Sequence, residues 1–127
     1  MGKLTTHVLD VAKGLPAAGL RLELFSLSED NKTFITNQTT NKDGRCEQPL
    51  AQGDQFPKGI YQIEFNVGDY FKSGSAKLPS FLGIVPVQFF VENVEENYHV
   101  PLIVSPYSYS TIEVANNKYF IMKEVDI

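Results

Sequence analysis

The feature that most constrains the fold of this chain is an alternation of apolar and polar residues that recurs in several short runs. Within residues 20–27, Leu20, Leu22 and Leu24 alternate with Arg21 and Glu23. The same period of two recurs, in some cases more weakly, in residues 4–11, 32–40, 60–65, 85–91 and 98–104. A strand that buries one face produces this period, so the sequence predicts an array of half-buried β-strands.

Turn-forming residues separate these runs and limit their length. Breaks are predicted at residues 15–19 and 29–31, and residues 41–44 end in a glycine suited to positive φ. Residues 67–75 are compatible with one short helix. No repeat or linker interrupts the chain, so we predict a single all-β sandwich domain over residues 1–127.

Two prolines, Pro86 and Pro101, lie inside predicted strands. Proline has no N–H to donate to a strand ladder. Each is therefore expected at a sheet edge, a bulge or a strand start.

Charge and composition exclude several classes of function. The net charge is −4, whereas a nucleic-acid binder needs a basic surface, so no nucleic-acid partner is expected. No apolar run approaches the ~18–20 residues of a membrane span, so no membrane partner is expected either. The single cysteine, Cys46, excludes an intrachain disulfide. These observations favour a cytoplasmic protein; a peroxisomal location stays open, although no signal for it is visible.

Few residues offer chemistry by their type and spacing alone. The two histidines, His7 and His99, lie in different predicted strands without the spacing of a zinc pair, so no metal site is predicted. Arg45 follows a predicted turn. By pattern alone each of these three is an ordinary packed or solvated side chain. There is no Gly-x-Ser-x-Gly elbow to provide a serine nucleophile.

Three segments resemble, in the same order, the motifs of the transthyretin-like 5-hydroxyisourate hydrolases. They are Leu-Thr-Thr-His-Val-Leu-Asp at 4–10, Thr-Asn-Lys-Asp-Gly-Arg-Cys at 40–46, and Tyr-His-Val-Pro-Leu at 98–102, which runs on to Ser-Pro-Tyr at 105–107. The resemblance implies a β-sandwich of two four-stranded sheets with one short helix. It also implies a homotetramer, a dimer of dimers, with active sites in the channel between the dimers.

The resemblance further implies which residues act. The hydrolases carry His, Arg and His at three active-site positions, and the matching residues here are His7, Arg45 and His99. The implied reaction hydrolyses a cyclic amide C–N bond of 5-hydroxyisourate, a purine-derived small molecule of urate degradation, without metal or organic cofactor. One histidine would activate water, the other would orient or protonate, and Arg45 would stabilise the oxyanion. Ser110 and Thr111 would hydrogen-bond the substrate.

The chain departs from the hydrolase pattern after Thr111. The family continues with Tyr-Arg-Gly-Ser, whereas Ile112 and Glu113 stand at the first two of these positions here. Residues from about 112 to 127 are therefore treated as an atypical C-terminal extension. We expect this extension to lengthen the last strand or to pack on a neighbour.

Two alternative functions stay open on the sequence alone. One is a non-catalytic, transthyretin-like carrier of a small aromatic ligand in the same channel. Ser108, which stands where the hydrolases usually have Gly, favours this carrier, whereas His7, Arg45 and His99 oppose it. The other is a structural β-sandwich that only associates with other proteins.

Overall fold

The strands of the chain form two sheets. The computed structural model describes residues 2–74, 79–112, 114–115 and 118–119. In chain order the strands are β1 (Lys3–Asp10), β2 (Leu15–Pro16), β3 (Arg21–Ser28), β4 (Asn31–Thr39), β5 (Ala51–Gln52), β6 (Gly59–Asn66), β7 (Ile84–Val91), β8 (Tyr98–Val104), β9 (Tyr109–Thr111), β10 (Val114–Ala115) and β11 (Lys118–Tyr119). The helix α1 spans Val67–Ser73, and a 3-10 turn spans Gly53–Gln55.

The two sheets differ in their make-up. One is antiparallel and has the order β4-β3-β6-β7. In the other, β1 and β8 are parallel neighbours; β2 and β5 pair with β1, β9 and β10 pair with β8, and β11 pairs with β10. The predicted two-sheet, all-β sandwich is confirmed. The second sheet has seven strands among the described residues rather than four, because loop and C-terminal segments add short partners to β1 and β8.

The apolar faces predicted from the alternation form the core between the sheets. Leu4 and Val8 of β1, together with Leu102 of β8, are fully buried against the inward faces of the four-stranded sheet. The Phe56 ring lies at the centre of an aromatic group, 5.3 Å from that of Tyr61 and 5.9 Å from that of Tyr98. Burial of each such side chain contributes about 1.5–3 kcal/mol. This packing leaves the other face of β1 and β8 at the surface.

The predicted short helix is confirmed as α1, which docks onto β1. The Asn66 side chain caps its start by accepting a hydrogen bond from the backbone N–H of Asp69. The Tyr70 hydroxyl donates to the buried Asp10 carboxylate at 2.7 Å, which ties the helix to the end of β1. Within the part of the chain that the structure describes, no helix is long and apolar enough to cross a membrane.

The two strand prolines behave differently. Pro86 lies in β7, an edge strand, as predicted. Pro101 lies in β8, a central strand, so the prediction of an edge, bulge or strand start is wrong for it. The ladder tolerates Pro101 because β9 ends at Thr111 and β10 begins at Val114, which interrupts the partner strand opposite the proline. The Thr111 hydroxyl donates to the Pro101 carbonyl at this interruption.

Candidate active site

The two histidines lie on adjacent strands of the seven-stranded sheet. The parallel register of β1 and β8 places Thr5 beside His99 and His7 beside Pro101. Along both strands the buried residues alternate with half-buried ones, and the histidines belong to the second set, on the outer face. With a rise of about 3.3 Å per residue and a strand spacing of about 4.8 Å, the two histidine Cα atoms are roughly 8 Å apart.

A tight turn brings Arg45 to His7. The backbone N–H of Val8 donates to the Gly44 carbonyl at 2.8 Å, and His7 and Arg45 form an antiparallel bridge. The Asn41 side chain holds the turn closed by accepting a hydrogen bond from the Arg45 N–H at 3.1 Å. Gly44 has a φ of 75°, which confirms the predicted positive φ, and a Cβ there would lie 2.3 Å from the Val8 carbonyl oxygen. Only glycine fits at this position.

Arg45 and His99 line one polar groove on the outer face. The groove has a volume of about 460 Å³. Its lining residues are Lys3, Thr5, Arg45, Asn97, Tyr98, His99 and Val114. His7 does not line this groove itself, but its backbone pairs with that of Arg45, which does. The structure therefore brings the three predicted catalytic residues together, with two of them at the groove wall.

A second groove lies on the other side of His99 and is mostly apolar. Its volume is about 300 Å³. Its lining residues are His99, Pro101, Ile103, Ser110, Thr111, Ile112 and Val114. Ser110 and Thr111, predicted to bind substrate, thus lie beside His99 but away from Arg45. The Thr111 hydrogen is directed to the Pro101 carbonyl, which leaves the exposed Ser110 as the better donor to a ligand.

The surroundings of both imidazoles lower their pKa, which favours the neutral form. Burial lowers the pKa of His7, the charge of Arg45 lowers it further, and a hydrogen bond to the Asp43 backbone and the Asp43 charge oppose the change. Burial also lowers the pKa of His99, followed by the charges of Arg45 and His7, while a hydrogen bond to the Thr5 backbone opposes it. A neutral imidazole near pH 7 is a competent general base.

The hydrogen bonds of the two rings indicate their tautomers. Nε2 of His7 lies 3.0 Å from the Asp43 carbonyl oxygen. A carbonyl can only accept, so Nε2 carries the proton in neutral His7. Nδ1 of His99 lies 2.9 Å from the Thr5 hydroxyl, which can donate to or accept from a ring nitrogen. In the tautomer with the proton on Nδ1, this proton is donated to the Thr5 hydroxyl and Nε2 of His99 keeps its lone pair.

Volume alone does not identify the site. A third groove, of about 470 Å³, lies beside α1 and is lined by charged residues including Arg21, Asp69 and Lys72. It contains neither histidine, and the chemistry converges on the outer face of β1 and β8 instead. Within the described residues, no cluster of three or more His, Cys, Asp or Glu side chains could hold a metal ion. Cys46 is half-buried, and burial raises the pKa of its thiol to about 11, which makes it a poor nucleophile.

Sequence reasoning missed several residues of the polar groove. Lys3 and Thr5 alternate with His7 along β1, and the period of two could have found them. Asn97 and Val114 give no such local signal, because their positions depend on how β8 pairs with β1 and β10. Glu113, which stands where the family has Arg, and residues 116–117 and 120–127 of the predicted C-terminal extension lie outside the described residues.

Comparison with known proteins agrees with this geometry. Residues 4–113 match the model of the HIUase/Transthyretin family. The chain is 47% identical over 113 residues to the 5-hydroxyisourate hydrolase of Pseudomonas aeruginosa, which covers 87% of this chain and 90% of that protein. Among solved structures it superposes on sea bream transthyretin in complex with thyroxine with a TM-score of 0.81 and 29% identity, covering 89% of this chain and 95% of that one. It also superposes on (S)-allantoin synthase with a TM-score of 0.83 and 39% identity, covering 89% of this chain but 43% of that longer one.

Proposed function

The chain belongs to the HIUase/Transthyretin family, and on that premise we propose that it hydrolyses 5-hydroxyisourate. The reaction opens the six-membered ring at an amide C–N bond and yields 2-oxo-4-hydroxy-4-carboxy-5-ureidoimidazoline, a step of urate degradation. The observation that carries the proposal is the convergence of His7, Arg45 and His99 on one sheet face. The Pseudomonas aeruginosa relative, 47% identical, carries the name of this hydrolase.

His99 is the general base in this proposal. Thr5 holds its Nδ1 side. With the ring proton on Nδ1, the lone pair of Nε2 is available to accept a proton from water. The water oxygen then forms a bond to the ring carbonyl carbon, and a tetrahedral oxyanion results. Thr5 acts through His99, as a positioning residue that sets the tautomer and the ring plane.

Arg45 and His7 interact with the tetrahedral oxyanion and with the substrate after water has attacked. The cationic Arg45 guanidinium presents a planar fork of donors to the oxyanion. When the C–N bond breaks, the departing nitrogen needs a proton, which the protonated His99 can return. The His7 imidazole lies on the same outer face of the sheet as His99 and contributes a second donor or acceptor to the substrate.

The edge of the substrate away from Arg45 lies toward the second groove. Ser110 is exposed there and can donate to a ring carbonyl. The walls of this groove are apolar, with Ile103 and Ile112 both exposed in the single chain. Such a surface suits the face of a planar heterocycle or a second copy of the chain.

We also propose the homotetramer that the family resemblance implies, with the outer face of β1 and β8 turned toward another copy. The exposed apolar side chains on that face, Ile103 and Ile112, support this assembly. Light scattering of the purified protein would give its mass directly. A monomer that still hydrolyses the substrate would show that the site needs no second copy.

The carrier alternative has one specific observation in its favour, the apolar groove beside His99. A planar aromatic ligand would fit its mostly aliphatic lining. Arg45 and the neutral histidines have no evident task in such a carrier. A carrier would bind the ligand without accelerating hydrolysis, so a rate measurement separates the two functions.

The test is hydrolysis of freshly generated 5-hydroxyisourate, followed by the loss of its ultraviolet absorbance. The chain should accelerate decay above the spontaneous rate, and His99→Gln should lower kcat/KM by about 10²–10⁴-fold if it removes the general base. A second protein, in which Tyr-Arg-Gly-Ser follows Thr111 directly, reports on the C-terminal extension. Acceleration by this second protein alone would show that the site is correct and that the extension suppresses it. No acceleration by either protein would refute the proposed function.

A further inference from the structure

The segment that follows Thr111 continues along β8 in an unbroken register. In β9, Thr111 pairs with Leu102, and in β10, Val114 pairs with His99. The step from Thr111 to Val114 therefore matches the step from Leu102 back to His99. Strands β9 and β10 thus form one antiparallel partner of β8, with a gap between them. Strand β11 then pairs with β10 on its other side, with Tyr119 opposite Val114. The segment is therefore held between two strands at the position of Val114.

Val114 is the cross-strand neighbour of His99. Directly opposed residues of an antiparallel pair point to the same face, with Cβ atoms about 4.5–5.5 Å apart. Val114 is half-buried, and together with His99 it lines both the polar groove and the apolar groove. It therefore forms part of the wall on each side of the imidazole.

Among the described residues that line the polar groove, Val114 is the one aliphatic side chain. From β1, Lys3 and Thr5 face that groove, and the turn contributes Arg45. The remaining lining residues, Asn97 and Tyr98, carry polar groups. Among the described residues that line either groove there is no carboxylate, and the charged side chains among them are Lys3 and Arg45.

We propose that Val114 is a positioning residue for the reaction proposed above, an apolar cover that excludes water from the His99 imidazole and keeps it neutral and ready to accept a proton. The inference rests on the proposed function for its catalytic meaning, but the cover itself is a property of the fold. Burial is the largest cause of the lowered pKa of His99, ahead of the charges of Arg45 and His7, which agrees with such a cover. The C-terminal extension thereby contributes to the site through a side chain without catalytic chemistry of its own.

The experiment is an NMR titration of the two imidazoles in the full-length chain and in variants of Val114. Two histidines give two sets of ring signals, which His7→Gln and His99→Gln assign. Val114→Asp places a carboxylate opposite His99 and should raise its titration midpoint by about one pH unit or more, as expected for an opposite charge at this distance. Val114→Ile preserves the cover and should leave the midpoint unchanged. Val94→Asp makes the same change at an exposed site that lines neither groove and serves as the control.

A midpoint of His99 that is the same in Val114→Asp and in Val94→Asp would overturn the proposal. If Val114→Asp does not fold, Val114→Thr decides, because it keeps the β-branched shape and adds only a hydroxyl; its midpoint should still rise toward the ordinary value. In an active chain, the acid limb of the kcat/KM profile should move with the midpoint, and an unmoved limb would also overturn the role in catalysis. The titration needs no substrate, so a shifted midpoint in a chain without hydrolase activity would refute the proposed function and leave the cover standing.

Discussion

Replacing Arg45 by glutamine tests the core of the proposed mechanism. The change removes a cation and its donor fork, but keeps a polar side chain on the exposed end of the turn. The bridge to His7 is made by backbone atoms and should survive. The variant should therefore fold normally and lose two separate electrostatic effects, one on the oxyanion and one on the histidines.

The first effect is independent of pH. Loss of a donor to an oxyanion costs about 10²–10³-fold in rate, or about 2.7–4 kcal/mol. Because Arg45 is exposed to solvent in the single chain, we expect the lower end, roughly 100-fold. At about pH 8 both histidines are neutral with or without the arginine, so the loss of oxyanion stabilisation should be the only effect on the rate.

The second effect grows as the pH falls. The charge of Arg45 lowers the pKa of both His7 and His99, so its removal raises both. If the pKa of His99 returned fully to about 6.5, roughly a quarter of the base would be neutral at about pH 6. The loss at that pH should therefore increase by at most about fourfold, to roughly 400-fold in total.

The assay is kcat/KM for 5-hydroxyisourate across this pH range, measured beside Arg21→Gln. Arg21 lies on the other sheet, in the groove beside α1, so the control should match the parent chain. A loss below about threefold for Arg45→Gln at high pH would refute its role on the oxyanion. A loss that stays constant down to low pH would refute its electrostatic coupling to the base.

Three further outcomes follow from the same geometry. Thr5→Val removes the hydroxyl partner of His99 and should lower kcat/KM about three- to tenfold, the value of one neutral hydrogen bond, whereas Thr5→Ser should stay near the parent value. Gly44→Ala forces a side chain into a positive-φ turn and should lower Tm by about 4–8 °C in a thermal melt, with most activity lost because the turn shifts. Since His7 and His99 have lowered pKa values in the folded chain, the unfolded chain binds more protons below about pH 6.5. Stability measured by urea unfolding should thus be complete above that pH and fall as the pH drops from there to the folded pKa values, and the double variant with glutamine at both positions should lose this dependence.

Much of the fold follows from local patterns in the sequence. Alternation in residues 20–27 and 60–65 correctly predicted strands and their buried faces, because each face is set by a period of two along one strand. The glycine at the end of residues 41–44 was correctly predicted to have positive φ. The short helix was also found, since its residues and cap are contiguous in the chain.

Pattern reasoning alone did not identify the site. The spacing of His7, Arg45 and His99 gave no sign that they form one site. Only the resemblance to a family assigned them to the same site. Their roles as catalytic residues remain predictions until the variants are measured. The short partner strands that enlarge the second sheet were not foreseen, because two-residue strands carry no periodicity to detect.

The tertiary structure alone decided which residues meet. His99 and Thr5 lie 94 positions apart, and a hydrogen bond joins them because β8 settles beside β1 in one particular parallel register. A slip of one residue would turn the buried face of the slipped strand outward, so the packing of the whole core sets that register. The same packing sets His99 opposite Val114. Sequence therefore determined which residues face outward on each strand, and the core determined which of those outward residues became neighbours.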